Sequence, residues 1–334
     1  MKEINALQAL LSTPRKIVIT THSNPDADAL GSSLGLYHFL KGRGHDVLVI
    51  TPTDYPEFLH WMEGNDEVLV YKEAEHTKFK RLIDEAELIC CLDFNGMKRI
   101  KKLGPLVEAA TAKKLLVDHH LNPEKFADYS LWNNKAAATA ELIYDLILLL
   151  DGKSEIDLGI AEALYAGIMT DTGSFKHNST SAKIHRTVAE LMDIGVDINK
   201  VSRLIYDTNS LNRLRFIGYA LMEKLVVDAD NQVAYFVING EEHERFHLKS
   251  GDTEGLVNYA LSIKGIMIAA IIMERDEEVK MSFRSVGDYA VNDFAAEYFN
   301  GGGHKNAAGG ISDVNLDETV EKFKSLISKL QQQT

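Results

Sequence analysis

Cysteine is close to missing from this chain. Among 334 residues only Cys90 and Cys91 carry a thiol, side by side in an apolar run. Neighbouring cysteines rarely bridge one another, so a reduced, cytosolic core strand is expected rather than a disulfide framework. Long apolar runs are missing too. None approaches the ~20 residues of a membrane span, and Met1-Lys-Glu-Ile-Asn-Ala-Leu7 lacks a signal-peptide apolar region. A soluble, intracellular (cytoplasmic) protein is expected. Positive charge is in deficit, with 36 Lys and Arg against 49 Asp and Glu and a net charge of −13. Such a surface lacks the basic stripe that holds long nucleic acid, but leaves open a short nucleotide in a local basic pocket. No internal repeat is visible, and no low-complexity tract beyond the terminal Gln331-Gln-Gln-Thr334. What the chain does have is 45% hydrophobic residues over a length that suits two domains better than one.

The first part alternates strands and helices. Strands are expected at Lys16–Thr21, Val47–Ile50, Glu87–Leu92 and Lys114–Val117. Helices are expected at Asp28–Gly42 (amphipathic), Ala136–Leu150 and Ile156–Met169. This alternation implies an α/β domain, residues 1–198, with a mostly parallel sheet covered on both faces. Residues 199–225 read as a helical connection, with helices at Val201–Tyr206 and Ser210–Leu225. Residues 226–334 read as a smaller α+β domain. Its strands are expected near 232–238, 266–273 and 278–283, and its helices near 253–262, 291–299 and 316–330.

Histidine and aspartate collect where these strands end. His22, Asp93 and Asp118 each directly follow a predicted strand, and in such sheets ligands sit beyond the carboxyl ends of the strands. In His22-Ser-Asn-Pro-Asp26-Ala-Asp28, residues two apart in an extended loop face one way, so Asp26 and Asp28 can share a site with His22. Asp93 closes Cys-Cys-Leu and, as a carboxylate, can bridge two metals about 3.5–4 Å apart. In Asp118-His119-His120 only one of the two histidines can easily bind the same metal; the other is left for substrate. Asp171 lies in Thr170-Asp-Thr-Gly-Ser-Phe175, where a helix runs into a small-residue turn. So many carboxylates in one place would repel and desolvate each other unless divalent cations neutralised them. Mixed imidazole and carboxylate ligation suits Mn²⁺, and less strictly Mg²⁺, Co²⁺ or Fe²⁺. In the smaller domain, Gly301-Gly302-Gly303-His304-Lys305 exposes backbone N–H groups to an anion, and Arg284, followed by Ser285, offers a planar fork for phosphate.

These residues resemble the DHH phosphoesterase superfamily, whose triplet stands here as Asp118-His119-His120. The resemblance extends over essentially the whole chain, with His22-x-x-x-Asp26-x-Asp28, Asp93, Asp118-His119-His120 and Asp171 in family order. The run from Gly301 to Gly310 resembles the DHH-associated C-terminal domain. The resemblance implies one metal on His22, Asp26 and Asp93, and a second on Asp28, Asp93, His119 and Asp171. It implies that His120 faces the scissile phosphate and that Asp118 orients its neighbours. It further implies an active site in the cleft between the two domains. There Arg284, Ser285, Gly301, Gly302, Gly303 and His304 would hold a terminal phosphate or the nucleotide. Arg99 is a further phosphate contact, with Lys98 and Lys101 as competitors for that role.

Within the superfamily the chain resembles short stand-alone proteins that act as oligoribonuclease and as 3′-phosphoadenosine-5′-phosphate (pAp) phosphatase. The expected activity is hydrolysis of short RNA and of pAp to AMP and phosphate, with a metal-activated water attacking phosphorus in line. The nearest alternative is a phosphodiesterase for linear or cyclic dinucleotides (pApA, c-di-AMP). Further off lie an inorganic pyrophosphatase or polyphosphatase and a non-catalytic nucleotide-binding regulator. Exposed apolar helix faces leave room for a homodimer.

Overall fold

A computed structural model describes residues 1, 3–177, 179–249, 251–275 and 278–331; the last three residues of the terminal polar run lie outside them. The chain divides into two compact units, Met1–Thr208 and Asn209–Thr334. The stretch 199–225 is therefore shared, one helix going to each unit.

The strands of the first unit are β1 (Lys16–Thr21), β2 (Asp46–Thr51), β3 (Leu69–Val70), β4 (Leu88–Leu92), β5 (Lys113–Asp118) and β6 (Tyr129–Trp132). Its helices are α1 (Ile4–Leu10), α2 (Ala27–Gly42), α3 (His76–Asp84), α4 (Gly104–Ala109), α5 (Thr139–Leu149), α6 (Leu158–Asp171), α7 (Ala182–Ile194) and α8 (Ile198–Tyr206). The six strands form one sheet in the order β3-β2-β1-β4-β5-β6, and every neighbouring pair is parallel. Successive residues of a strand face opposite sides, and both sides here are dry. Ile17, Ile19, Cys90 and Val117 join a core with α2, α5 and α6. Val18, Ile89, Cys91 and Leu116 join a second core with α3 and α4. The strands therefore read as unbroken apolar runs, as sheets covered on both faces do.

Two helix expectations shift. Helix α2 is not amphipathic: nearly every residue from Ala27 to Leu40 is buried, because α6 packs on the side away from the sheet. It also starts earlier than expected, since Asp26, and not Asp28, is its N-cap; the Asp26 Oδ1 accepts from the N–H groups of Asp28 and Ala29, each at 3.0 Å. Helix α5 begins at Thr139, and not at Ala136, because Ala138 is still extended, with φ −155° and ψ 155°.

The second unit holds α9 (Leu211–Tyr219), β7 (Leu225–Asp228), β8 (Val233–Ile238), α10 (Gly240–Arg245), α11 (Leu256–Leu261), β9 (Ile268–Arg275), β10 (Glu278–Ser285), α12 (Val291–Tyr298), β11 (Gly302–His304), β12 (Ala307–Ser312) and α13 (Leu316–Gln331). Its sheet runs β11-β12-β10-β9-β8-β7. Only β8 and β9 are parallel among its described pairs. One face packs on α12 and α13, the other on α9 and α11. The helix expected through Leu225 stops at Tyr219. One wide helical turn follows, and Leu225 opens β7.

Candidate active site

The parallel sheet reverses its strand order between β1 and β4. From β1 the chain steps outward through β2 and β3, then returns to place β4 on the other flank of β1. Crossover loops diverge at such a switch point, leaving a crevice beyond the carboxyl ends of the strands. His22 follows β1, Asp93 follows β4, and Asp118 closes β5 ahead of His119 and His120. Three adjacent strands thus deliver their polar ends to one edge. Asp93 turns back into the crevice through a left-handed backbone, φ 62°, while its N–H stays on the Val117 carbonyl at 3.0 Å.

Asp28 and Asp171 come from helices instead. The N-terminal half of α2 crosses the C-terminal half of α6 at a spacing only glycine permits. A Cβ on Gly31 would lie 2.3 Å from the Ala163 carbonyl oxygen, and one on Gly167 would lie 2.8 Å from Asp28 Oδ1. This close crossing brings Asp28, in the first turn of α2, beside Asp171, the last residue of α6.

The side chains form two sets that share Asp93. His22 Nε2 lies 3.3 Å from Asp93 Oδ2 and 3.8 Å from Asp26 Oδ2. His119 Nε2 lies 3.4 Å from Asp93 Oδ1, 3.4 Å from Asp171 Oδ2 and 3.8 Å from Asp28 Oδ2. The sets His22–Asp26–Asp93 and Asp28–His119–Asp171 each gather their ligand atoms within 4.8 Å of one another. Each imidazole turns its Nδ1 to a backbone carbonyl, Ser23 at 3.0 Å and Ala136 at 3.3 Å. A carbonyl only accepts, so Nδ1 carries the hydrogen and Nε2 faces the carboxylates, the orientation of a metal-binding histidine. The donor set therefore fits divalent cations, which the two groups of His and Asp would hold.

Thr139, absent from the sequence expectations, ties the sets together. Its Oγ1 donates to Asp93 Oδ1 at 2.7 Å and its N–H donates to Asp28 Oδ2 at 2.6 Å. Ala140 N–H reaches Asp28 Oδ1 at 2.8 Å. The N-terminus of α5 thus receives the Asp28 carboxylate, as helix N-termini receive anions. The only hint in the chain is a lone hydroxyl in Ala136-Ala-Ala-Thr139-Ala.

Burial and mutual charge shift the acids and imidazoles of this site away from their ordinary values. Burial and then the charge of Asp93 push Asp28 up to about 8, although His119 and the Ala140 N–H pull the other way. Burial and Asp28 hold Asp171 well above the carboxylate range. Burial would raise Asp93 as well, but hydrogen bonds from His119 and His22 and the charge of His120 hold it well below. His119 and His22 are raised in spite of burial, chiefly by Asp93. This is the pattern of imidazolium and carboxyl protons standing where cations would stand.

Asp118, fully buried, accepts at Oδ1 from the His120 ring Nδ1 at 2.8 Å and from the His120 backbone N–H at 3.2 Å. Trp132 Nε1 holds the His120 carbonyl at 2.7 Å. The other oxygen of Asp118 has no hydrogen-bond partner among the described residues, and Asp93, Asp118 and His120 form a further close set. Arg99 borders the crevice: its carbonyl accepts from Ser23 N–H at 2.8 Å, and its charge opposes protonation of His22.

The remaining site candidates belong to the second unit. Arg284 on β10 and His304 on β11 both pair with Ala307 of β12. They share one face of the sheet, about two strand spacings or 10 Å apart. Ser285 is committed to its loop, donating to the Tyr289 carbonyl at 2.7 Å and accepting from Asn306. The glycine string is a strand and not a flexible turn. A Cβ on Gly301 would lie 2.0 Å from the Gly309 carbonyl oxygen. Gly303, at φ 144°, would place one 2.4 Å from that of Ala307, while Gly302 is open. Gly301 N–H is taken by the Ala295 carbonyl, and Lys305 pairs with Asp288 at 2.6 Å.

A parallel α/β unit with a histidine–aspartate cluster at its switch point, followed by a mixed-sheet unit, is the layout of a metal-dependent phosphoester hydrolase. Residues 16–168 match the DHH family, N-terminal domain, and residues 230–333 match the DHHA1 domain. The chain is 30% identical to the bifunctional oligoribonuclease and PAP phosphatase NrnA of Thermus thermophilus over 327 residues, 94% of this chain and 90% of that one. It is 26% identical to the cyclic-di-AMP phosphodiesterase GdpP of Bacillus subtilis, over 97% of this chain but 49% of that one. The crystal structure of an exopolyphosphatase-related protein from Bacteroides fragilis superposes with a TM-score of 0.92 at 40% identity, covering 98% of this chain and 96% of that one. The chain belongs to the DHH family and is a divalent-metal-dependent hydrolase of phosphoester bonds.

Proposed function

We propose that the protein hydrolyses short oligoribonucleotides and converts pAp to AMP and phosphate, with Mn²⁺ as its metal. The observation that carries this is the sharing of Asp93: its two oxygens face two separate imidazoles, each within its own carboxylate set. His22, Asp26 and Asp93 would hold one cation, and Asp28, Asp93, His119 and Asp171 the other. A bound divalent pair supplies Lewis acidity, activating water and neutralising the phosphate. The chain's own groups do the rest. Thr139 and the α5 N-terminus keep Asp93 and Asp28 aimed at the crevice. Asp118 takes the His120 Nδ1 hydrogen, so Nε2 is the ring nitrogen that reaches a scissile phosphate oxygen. Arg99 adds positive charge beside His22. Arg284 and His304, aligned across Ala307, hold a terminal phosphate of the substrate. The likeness to the NrnA relative over nearly its full length supports both substrates.

The same reading places the protein in the cytoplasm; no helix among the described residues is long and apolar enough to cross a membrane. A second reading, hydrolysis of pApA or c-di-AMP at the same site, draws on the likeness to GdpP. It is secondary, because this chain spans about half of that relative. The test is release of phosphate and nucleotides in Mn²⁺ from pAp and from 5′-phosphorylated RNA of two to five nucleotides, with EDTA as control. Cleavage of both, abolished by EDTA, is expected. Turnover of dinucleotide substrates alone would select the second reading.

A further inference from the structure

Four residues past Asp93 the chain enters a 3₁₀ segment, Met97-Lys-Arg-Ile-Lys-Lys-Leu103. It holds four cations and no acid, in a chain of net charge −13. The segment is not one continuous helix: its backbone kinks at Ile100 and at Lys101, which stands at φ 47°. Met97, Ile100 and Leu103 are buried against the sheet. Of the four cations between them, the three lysines are exposed and Arg99 is half-buried. Lys102 pairs with Glu73 at 3.2 Å. Among the described residues no carboxylate pairs with Lys98, Arg99 or Lys101, although acids outnumber cations in the chain.

The segment is held in place. Its start is pinned by Glu124, whose Oε2 accepts the Met97 N–H at 3.0 Å. Gly96 leaves room for that carboxylate, since a Cβ there would lie 2.6 Å from Glu124 Oε1. Asn95 Nδ2 bonds the Leu121 carbonyl at 2.7 Å, and the Arg99 carbonyl accepts from Ser23, next to His22. The cationic segment therefore borders the crevice at Arg99. Unpaired cations fixed at the border of a phosphoester site repel one another unless a polyanion lies on them.

We infer that Lys98, Arg99 and Lys101 form a phosphate-tracking strip that engages phosphodiester groups beyond the scissile one, and so favours oligonucleotides over single nucleotides at this site. The inference rests on the hydrolase reading above. A single nucleotide such as pAp has no phosphodiester group to lay on the strip.

The test joins Lys98→Ala and Lys101→Ala in one protein and measures KM in Mn²⁺ for pAp and for a 5′-phosphorylated trinucleotide at several salt concentrations. Both side chains are exposed, so the fold is retained. KM for the trinucleotide is expected to rise about tenfold, and its log–log salt slope to fall by roughly 0.7 per lost phosphate contact. KM for pAp stays unchanged, and the Lys98→Arg, Lys101→Arg pair restores the trinucleotide. Equal shifts for both substrates, or none, overturn the strip. If the wild type turns over neither substrate, it is the hydrolase reading that falls. The strip is then judged by anisotropy of a labelled trinucleotide, where tighter binding by the wild type upholds it and equal affinity overturns it.

Discussion

Asp93 occupies the left-handed backbone region, φ 62°, which strains most side chains but is tolerated by Asp and Asn. Asp93→Asn therefore keeps the backbone while removing the charge that both imidazoles face. Metal-dependent turnover is expected to fall at least about a thousandfold. Far-UV circular dichroism should stay native and the Mn²⁺-induced rise in Tm should vanish; an undiminished rise would rule out the shared-ligand role. Thr139 acts one step back, through the hydroxyl that holds Asp93 Oδ1. Thr139→Ala should lower kcat by about ten- to a hundredfold with little change in KM, and Thr139→Ser should recover most of it. Equal losses in the alanine and serine variants would assign Thr139 to packing alone.

Among the elements, the crossing of α2 and α6 decides where two of the acids stand. Gly167 is the tightest point for the metal set, because an added methyl meets Asp28 Oδ1, the Asp28 Cα and the Ala140 side chain. Gly167→Ala should push α2 away from α6 and α5. The stability cost of such overpacking is about 1–3 kcal/mol, and the affinity for Mn²⁺, read by calorimetry, should fall about tenfold or more. A variant that loses stability but binds Mn²⁺ normally would show that the crossing supports the core without setting the site. The Gly301–His304 string is an element-scale lesson of the same kind. Consecutive glycines suggest a loop, yet Gly301 and Gly303 are glycine because β11 and its flank lie against the carbonyls of Gly309 and Ala307.

Over the whole molecule, the buried acids and imidazoles couple folding, protons and metal. Asp28 and Asp171 have raised pKa values in the fold. The folded chain binds their protons more tightly than the unfolded chain does, so they cost stability as pH rises above the ordinary carboxylate range, for Asp28 up to about 8. His22 and His119 are raised as well. Their stabilisation is complete below the ordinary histidine value of about 6.5 and is lost as pH climbs through the folded values. Asp93, held low, acts in the opposite sense only in the acid range. All four raised groups thus act in one direction, and metal-free protein should melt at lower temperature at pH 8 than at pH 6. Cations replace those protons, so the Mn²⁺-induced rise in Tm should be larger at pH 8. Thermal melts in EDTA and in Mn²⁺ at both pH values test this, and a larger metal effect at pH 6 would overturn it.

The sequence by itself determined the parallel sheet and singled out most of the residues that gather at the end of it. Apolar runs ending in His22, Asp93 and Asp118 are local patterns, and parallel strands send their ends to one edge whatever lies between them. The strands β3, β6, β7, β11 and β12 escaped notice because they are short or glycine-rich, with too few residues for a period to register. Other features were decided by tertiary structure alone. Thr139 meets Asp93 across 46 residues and Asp28 across 111, a closeness no window of sequence contains. Asp26 could cap α2, bind a metal or do both, and only the fold shows one oxygen in the cap and the other turned to His22. The division of Asp93 between two imidazoles follows from its left-handed turn, and the meeting of Asp28 with Asp171 from the helix crossing at Gly31 and Gly167. Residue types name the chemistry within reach, but the direction of each oxygen is settled by backbone conformation and packing between segments far apart in the chain.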